Sequence, residues 1–296
     1  MEKVLVLGSQ GMLGSELVRT LIHDGFEARG TARTKENIDD RLFFDFDGTI
    51  ESVIELFSLA NKPGYVVNCI GMIPQRQTIK NQYRHFISLN TLLPNYLDRL
   101  ADKFGFKVIQ IATDCVFSGK DGQYSEDSPH DAIDVYGVTK SLGEISSKNF
   151  LNLRCSIIGR EISTSVSLHD WFLSHPSGAS VNGYTDHLWN GVTTLSFAKI
   201  VSGVLRSGSD FSGTRHIVPR NQLSKFELLK VIAKSAGRND LVVNEFDSGA
   251  AIDRRLITKY PEYNEHLWTG AGYASIPSLE ELIEEFEKKG LGATYA

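Results

Sequence analysis

The sequence predicts an α/β protein: a doubly wound parallel sheet joined to a smaller, interleaved α/β lobe that binds substrate. Three observations carry that expectation. Strand-like apolar runs alternate with helical patterns over the first half of the 296 residues. The first of these runs is followed at once by Gly8-Ser9-Gln10-Gly11-Met12-Leu13-Gly14. After Ser156 the rhythm changes, which marks a second kind of architecture.

Element by element, Lys3 to Leu7 reads as a buried strand and Gly11 to His23 as a helix. Glu27 to Thr31 and Leu42 to Phe46 are two further short strands. Tyr65 to Ile70, Lys107 to Ile111 and Phe150 to Arg154 continue the series, with helices between them. Such alternation favours parallel strands covered on both faces. The longest helical pattern runs from Gln77 to Phe104, and Pro94 is expected to kink or interrupt it. Beyond it, a Ser-, His- and Trp-containing stretch (Ser163 to Asn190) precedes a helix from Thr193 to Arg206. Ser224 caps a helix reaching Ala236. Pro277-Ser278 opens a last amphipathic helix, Leu279 to Lys289, with Glu281 three residues after the capping serine. Residues 1–160 are expected to form the dinucleotide-binding domain with the catalytic residues. Residues 161–296 are expected to be mainly the lobe, with some segments returning to the first domain.

Composition narrows the function by exclusion. With 41% hydrophobic residues and a net charge of −5, the chain is not intrinsically disordered. Its 31 Lys and Arg against 36 Asp and Glu, with no long basic run, leave no footprint for nucleic acid. Four apolar residues at Val4–Leu7 are too few for a signal-peptide core, and no segment reaches the length of a membrane span. Cys69, Cys115 and Cys155 are far apart and complete no zinc set, so packed, reduced thiols are expected. A cytoplasmic enzyme or binding protein fits these features.

Gly8, Gly11 and Gly14, placed between strand and helix, suit a pyrophosphate cradle. Glycines there permit a tight turn, let backbone N–H groups approach phosphate and allow close helix packing. Gln10, Met12 and Leu13 belong to the same loop. Where the second strand ends, an acid would accept from the adenosine ribose and favour NAD. Arg33 stands there instead, with Lys35 just beyond. A guanidinium matches a 2′-phosphate, so NADPH/NADP is the expected cofactor, with NADH as the open alternative.

Tyr136-Gly137-Val138-Thr139-Lys140 puts a phenol and an ammonium one helical turn apart. The ammonium is expected to lower the tyrosine pKa, making Tyr136 a general acid in ketone reduction or a base in alcohol oxidation. Thr113 would end a parallel strand at its carboxyl end, where open α/β sheets bind ligands, and hold a carbonyl oxygen.

Taken together, these residues resemble the extended short-chain dehydrogenase/reductase family, a Rossmann fold, and within it the branch typified by dTDP-4-dehydrorhamnose reductase. The resemblance rests on Gly8–Gly14, Asn68-Cys69-Ile70-Gly71, Thr113-Asp114-Cys115-Val116-Phe117, Gly122-Gln123-Tyr124-Ser125-Glu126-Asp127 and Tyr136–Lys140. It covers residues 1–160 most closely. It implies that Thr113, Tyr136 and Lys140 are catalytic, with Tyr136 and Lys140 also at the cofactor and Lys140 on the nicotinamide ribose. It further implies that Asp45 and Phe46 approach the adenine, that Cys69, Ile70 and Gly71 line the cofactor, and that Asn90 supports the active-site helix region. Cys155 and Ser156 would lie near the carboxamide, and Asp114 and Cys115 near the substrate. Cys115 replaces the usual tyrosine, and Ser156-Ile157 stands where Ser-Trp is frequent; both departures concern the choice of sugar.

On the lobe side, Trp189 and Asn190 are candidates to meet the substrate, Trp189 by stacking on a base or sugar, with a packed tryptophan as the competing reading. Arg254 and Arg255 are candidates to clamp a diphosphate, against surface salt bridging. His169-Asp170 and His175 lack a nucleophile motif and are read as loop or lobe residues. No metal is expected. The resemblance implies reduction of a nucleotide-activated 4-keto-6-deoxysugar. The alternatives are a nucleotide-sugar epimerase or a non-catalytic NADP-binding subunit resembling the regulatory subunit of methionine adenosyltransferase. No nucleic acid or membrane partner is expected, and a homodimer is compatible with the resemblance.

Overall fold

The computed structural model describes residues 2–34, 40–74, 83–162, 167–208 and 211–289. Seven parallel strands form the central sheet: β1 (Lys3–Leu7), β2 (Glu27–Ala32), β3 (Leu42–Phe43), β4 (Tyr65–Asn68), β5 (Lys107–Thr113), β6 (Phe150–Cys155) and a strand from the second half of the chain. Between β6 and that strand come β7 (Ile157–Ile158), β8 (Ser180–Tyr184), β9 (His187–Trp189) and β10 (Val192–Thr193), so the seventh sheet strand is β11 (Gly213–His216). The order is β11-β6-β5-β4-β1-β2-β3. The chain reverses direction at β1, which makes the carboxyl ends of β1 and β4 the crevice of a doubly wound sheet.

Strand periodicity sorts the core into two layers. Val4 and Val6 of β1 enter one cluster with Leu17, Phe197 and Trp268. Leu5 and Leu7 enter the other, with Phe57, Leu97 and Phe106. Helices α1 (Met12–His23), α2 (Ile50–Leu59), α3 (Tyr83–Ile87), α4 (Leu93–Phe104) and α5 (Val135–Ser141) connect the first six strands. They are followed by α6 (Leu168–Leu173), α7 (Thr194–Ser207), α8 (Lys225–Ser235), α9 (Pro261–Gly270) and α10 (Leu279–Lys289). Small sheets complete the lobe, with β12 (Leu223–Ser224) beside β9, β13 (Val242–Phe246) beside β8, and β14 (Ile252–Asp253) on the far edge of β9.

Several boundaries differ from expectation for identifiable reasons. The strand expected over 42–46 stops at Phe43, because edge strand β3 has only Thr31 and Ala32 as partners. Strand β5 runs two residues past Ile111, its end fixed by Thr113 pairing with Cys155 of β6. The long helix is divided: residues 77–82 lie outside the described residues, and α3 and α4 are separated by a π-helical turn, Ser88–Leu92. Pro94, near the start of α4, has no N–H to continue the ladder backwards, which fits the break just before it. Helix α9 and the short lobe strands carry no periodicity long enough to read in advance. Capping at α8 and α10 is as the sequence indicates: Ser224 caps α8 and forms a reciprocal box with Glu227, and Ser278 and Glu281 exchange hydrogen bonds. No helix among the described residues is long and apolar enough to cross a membrane.

Candidate active site

The glycine loop is shaped by its own backbone. Gly8 adopts φ +77°, a left-handed conformation that favours glycine. A Cβ on Gly14 would stand 2.3 Å from the Gly8 carbonyl oxygen, so α1 can begin this close to β1 only with glycine there. Thr31 clasps the loop from β2: its hydroxyl accepts from Gly8 N–H at 3.0 Å, and its carbonyl accepts from the Ser9 hydroxyl at 2.9 Å. Gly11 caps α1 without a side chain, and the first turn, including Met12, Leu13 and Gly14, has no acid. The N-terminal donors of α1 therefore face no competing carboxylate, which suits a pyrophosphate. Arg33 is exposed immediately after β2; Lys35 lies outside the described residues. Asp45 is exposed and Phe46 half-buried, its ring edge-on to Tyr96.

Opposite the loop, Asn68 ends β4, donates to Gln110 at 2.9 Å and accepts from Ile70 N–H at 3.1 Å, fixing the Cys69-Ile70-Gly71 turn. The π-helical turn places Asn90 inside the fold. Its amide clasps Met72 through N–H···Oδ1 (2.8 Å) and Nδ2–H···O (3.1 Å) and donates to the Thr139 hydroxyl at 3.2 Å. Asn90 thereby connects the cofactor-side loop to α5, the helix that bears Tyr136 and Lys140.

At the carboxyl end of β5, Thr113 is buried and interacts with the Tyr136 side chain. Burial pushes the phenol well above its ordinary range, Cys115 adds to this, and the Thr113 hydroxyl opposes it. Lys140 behaves differently from expectation. Its ammonium donates to the Ile111 carbonyl at 2.6 Å, and burial pulls its pKa down to about 8. It is not among the groups that set the phenol, so the expected lowering of Tyr136 by Lys140 is not what this geometry gives. The result is a protonated tyrosine, which is the form an acid in ketone reduction requires. Around Lys140 stand the three thiols, Cys69, Cys115 and Cys155, each pushed up by burial, Cys115 to about 12. They are free and protonated, as packed thiols should be.

Helix α5 is held from behind by a buried arginine. Arg154 of β6 donates through Nε to Glu144 at 3.0 Å, through Nη1 to His216 Nε2 at 2.7 Å and through Nη2 to His130 Nε2 at 2.8 Å. A guanidinium has only donors, so both Nε2 atoms accept and both protons sit on Nδ1. His216 Nδ1 then donates to Ile257 O at 2.6 Å, and His130 Nδ1 to the Ser141 hydroxyl at 2.6 Å. Burial, with Arg154 second, lowers the His216 pKa to about 4. An unfolded histidine near 6.5 binds a proton that the folded one refuses. His216 thus contributes stability that is complete above pH 6.5 and lost as pH falls toward 4, with a slope of up to about 1.4 kcal/mol per pH unit. Urea midpoints at pH 7.5, 6.0 and 5.0 should decline in that order. His216→Gln should flatten the slope, and an unchanged slope in that variant would refute the assignment.

The lobe residues divide. Trp189 is buried in the core, with Leu223 its partner across β9 and β12; it is packed rather than presented for stacking. Asn190 spends both ends of its amide on Leu256, donating to its carbonyl at 2.7 Å and accepting from its N–H at 3.0 Å. Arg255 is paired with Asp253 through two hydrogen bonds, so only Arg254 of the expected clamp faces the site. Arg254 Nε donates to Phe117 O at 2.9 Å and its Nη1 lies 3.9 Å from Cys115 Sγ. His169 is buried in α6 between Asp170 and Glu287, a packing role.

The family model described as "RmlD substrate binding domain" matches residues 1–255. The chain belongs to this family. Among its relatives, the spore coat polysaccharide biosynthesis protein SpsK of Bacillus subtilis is 34% identical over 145 residues. That match spans 49% of this chain and 47% of SpsK, about half the length of either. The probable low-salt glycan biosynthesis reductase Agl14 of Haloferax volcanii is 28% identical over 259 residues, 84% of this chain and 85% of that one. The Bacillus anthracis dTDP-4-dehydrorhamnose reductase, solved in complex with NADP, superposes with a TM-score of 0.75 at 19% identity, covering 97% of this chain and 98% of that one. At that identity the likeness is one of fold.

Within this RmlD-family framework, two residues at the site have no counterpart in the sequence reading. Thr31 was hidden inside an otherwise ordinary strand end. Lys225 is the first residue of α8, where its charge opposes the helix dipole; a cation at the wrong helix end was the one available signal.

Proposed function

We propose that this chain is an NADPH-dependent reductase of a nucleotide-activated 4-keto-6-deoxysugar. The observation that carries the reading is the meeting of Thr113 with a protonated Tyr136 at the carboxyl end of β5, across from the glycine loop. Gly8–Gly14 and the open start of α1 would hold the cofactor pyrophosphate, Arg33 its 2′-phosphate and Lys140 the nicotinamide ribose. When bound, the nicotinamide supplies hydride to the ketone carbon. Thr113 orients the carbonyl oxygen, and Tyr136 delivers the proton that oxygen takes up. Lys140, with its pKa near 8, is suited to return a proton toward Tyr136. The family match, a glycan biosynthesis reductase among the relatives and an NADP-bound reductase among the similar folds support the reading.

The test is a panel of nucleotide 4-ketosugars assayed by NADPH oxidation, with product C4 configuration read by NMR. Oxidation of NADPH with at least one 4-keto-6-deoxysugar is the expected result; binding without turnover across the panel would instead favour a regulatory subunit. In the same assay Arg33→Ala should weaken NADPH binding about 10- to 100-fold, the worth of one charge-assisted contact, and leave NADH nearly unchanged. Equal losses for both cofactors would remove Arg33 from the 2′-phosphate.

A further inference from the structure

Proton delivery by Tyr136 makes no use of Asp114, an acid buried beside it. Asp114 follows Thr113 at the end of β5 and is 8% exposed, facing Thr113, Cys115, Tyr136 of α5 and Cys155 of β6. Its Oδ1 accepts from the Thr113 hydroxyl at 3.2 Å and lies 3.7 Å from Cys115 Sγ. Its Oδ2 has no hydrogen-bond partner among the described residues and is not sealed in, so solvent reaches that oxygen. Burial raises the Asp114 pKa, while Arg254 and Lys225, acting from outside ion-pair contact, hold the rise back.

Ketone reduction leaves Tyr136 without its proton after every turnover. The Lys140 ammonium donates to the Ile111 carbonyl at 2.6 Å and is not among the groups that set the phenol, whereas the Thr113 hydroxyl is. Thr113 has one hydroxyl hydrogen and two neighbours able to take it. While the phenol is protonated, Tyr136 donates to Thr113 Oγ1 and Thr113 donates to Asp114. Once the phenol is ionised, the same two hydrogen bonds fit with both donors reversed, Asp114 to Thr113 and Thr113 to Tyr136. The Cys115 N–H, which donates to Thr113 Oγ1 at 3.2 Å, holds that oxygen in place through the change. A Thr113 hydroxyl that opposes the rise of the phenol pKa is what the reversed arrangement requires, because it then donates to the charged form.

We propose that Asp114 and Thr113 form a proton relay that reloads Tyr136 between turnovers. The relay rests on the reductase reading for its reaction and adds to it a route for the proton apart from Lys140. After hydride reaches the ketone carbon and the carbonyl oxygen takes the Tyr136 proton, the product alcohol leaves behind a tyrosinate. Asp114 takes a proton from solvent on Oδ2, and a half-turn of its carboxyl group presents that proton to Thr113. Asp114 then gives it to Thr113 Oγ1 as Thr113 passes its own hydrogen to the tyrosinate. A neutral phenol and an Asp114 carboxylate result. One proton has moved from solvent to Tyr136, and only O–H bonds have been exchanged.

The experiment follows NADPH oxidation by stopped flow with dTDP-4-keto-6-deoxyglucose, or with the panel ketosugar that turns over fastest. Asp114→Asn keeps an oxygen to accept from Thr113 but carries no transferable proton. Its first turnover, run from a loaded Tyr136, should stay within about threefold of wild type. Its steady rate should fall by about 10-fold or more, leaving a burst of one NADPH per site that also shows the variant folded. Acetate should restore part of the steady rate in Asp114→Ala, which a slowed product release would not allow. Equal loss in both phases, or loss in neither, overturns the relay. A second readout needs no turnover: carbon-13 NMR titration of the aspartate carboxyls, with the Asp114 signal assigned by its loss in Asp114→Asn. Thr113→Val should raise the Asp114 midpoint by roughly half to one pH unit, the worth of one hydrogen bond to the carboxylate. An unmoved midpoint overturns the relay. A moved midpoint with no turnover on the panel defeats the reductase reading alone, and turnover without the burst defeats the relay alone.

Discussion

Tyr136→Phe should lower kcat for ketone reduction by about 10²- to 10⁴-fold, the usual contribution of a positioned acid. The substitution removes one oxygen and little else. The ring keeps its place on α5, where Asp134 caps the helix by accepting from Gly137 N–H at 2.9 Å. NADPH affinity should therefore change less than about twofold, and substrate KM only slightly. Because the phenol is pushed above its ordinary range, the wild-type acid stays loaded through neutral pH. Its rate should show no loss attributable to phenol ionisation below about pH 10. Stopped-flow NADPH oxidation with the best ketosugar reads both quantities. A variant that retains wild-type turnover would take Tyr136 out of the chemistry.

The second large effect is structural. Arg154→Met should destabilise the protein by about 3–5 kcal/mol, because it strands the Glu144 carboxylate and two histidine acceptors inside the fold. Arg154 is 1% exposed, and its guanidinium also lies over the Phe117 ring at 5.1 Å. Phe117 stacks on Tyr124 at 4.3 Å, so the loss spreads into the segment preceding α5. The melting temperature should fall by roughly 10 °C, read by differential scanning calorimetry. The double variant Arg154→Met/Glu144→Met should recover part of that loss, since it removes the orphaned charge as well. A melting temperature within about 2 °C of wild type in the single variant would show that the network carries no such weight.

Much of the sheet was legible because its signals are local. Val4, Leu5, Val6 and Leu7 are all apolar since both faces of β1 are covered, and of the glycines after them Gly8 is required by its left-handed φ and Gly14 by a backbone contact within the same turn. The helix caps at Ser224 and Ser278 were legible for the same reason. What escaped notice depends on residues far apart in sequence. Trp189 and Asn190 have the chemistry of ligand contacts, but Leu223 and Leu256 claim them. Arg254 and Arg255 are adjacent and look equivalent; Asp253 takes one of them. Lys140 sits one turn from Tyr136 as the spacing predicts, yet its ammonium goes to a strand carbonyl that no spacing announces. The π-helical turn that carries Asn90 inward is a register change inside an apolar run, and residue types alone do not mark it.

The seventh strand has a consequence for how the protein is made. β6 is buried along all six residues, and one of its edges is completed by β11, sixty-odd residues later in the chain. A ribosome adding about 5–20 residues per second leaves that edge bare for several seconds after β6 has emerged. During that interval the nascent chain presents an unpaired apolar strand of the kind that recruits other strands. Chain release near residue 160, however neatly it would seem to separate cofactor from lobe, would make that exposure permanent. Expression of the first half alone should accordingly yield aggregates, and the chain must run past His216 before its dinucleotide fold can close.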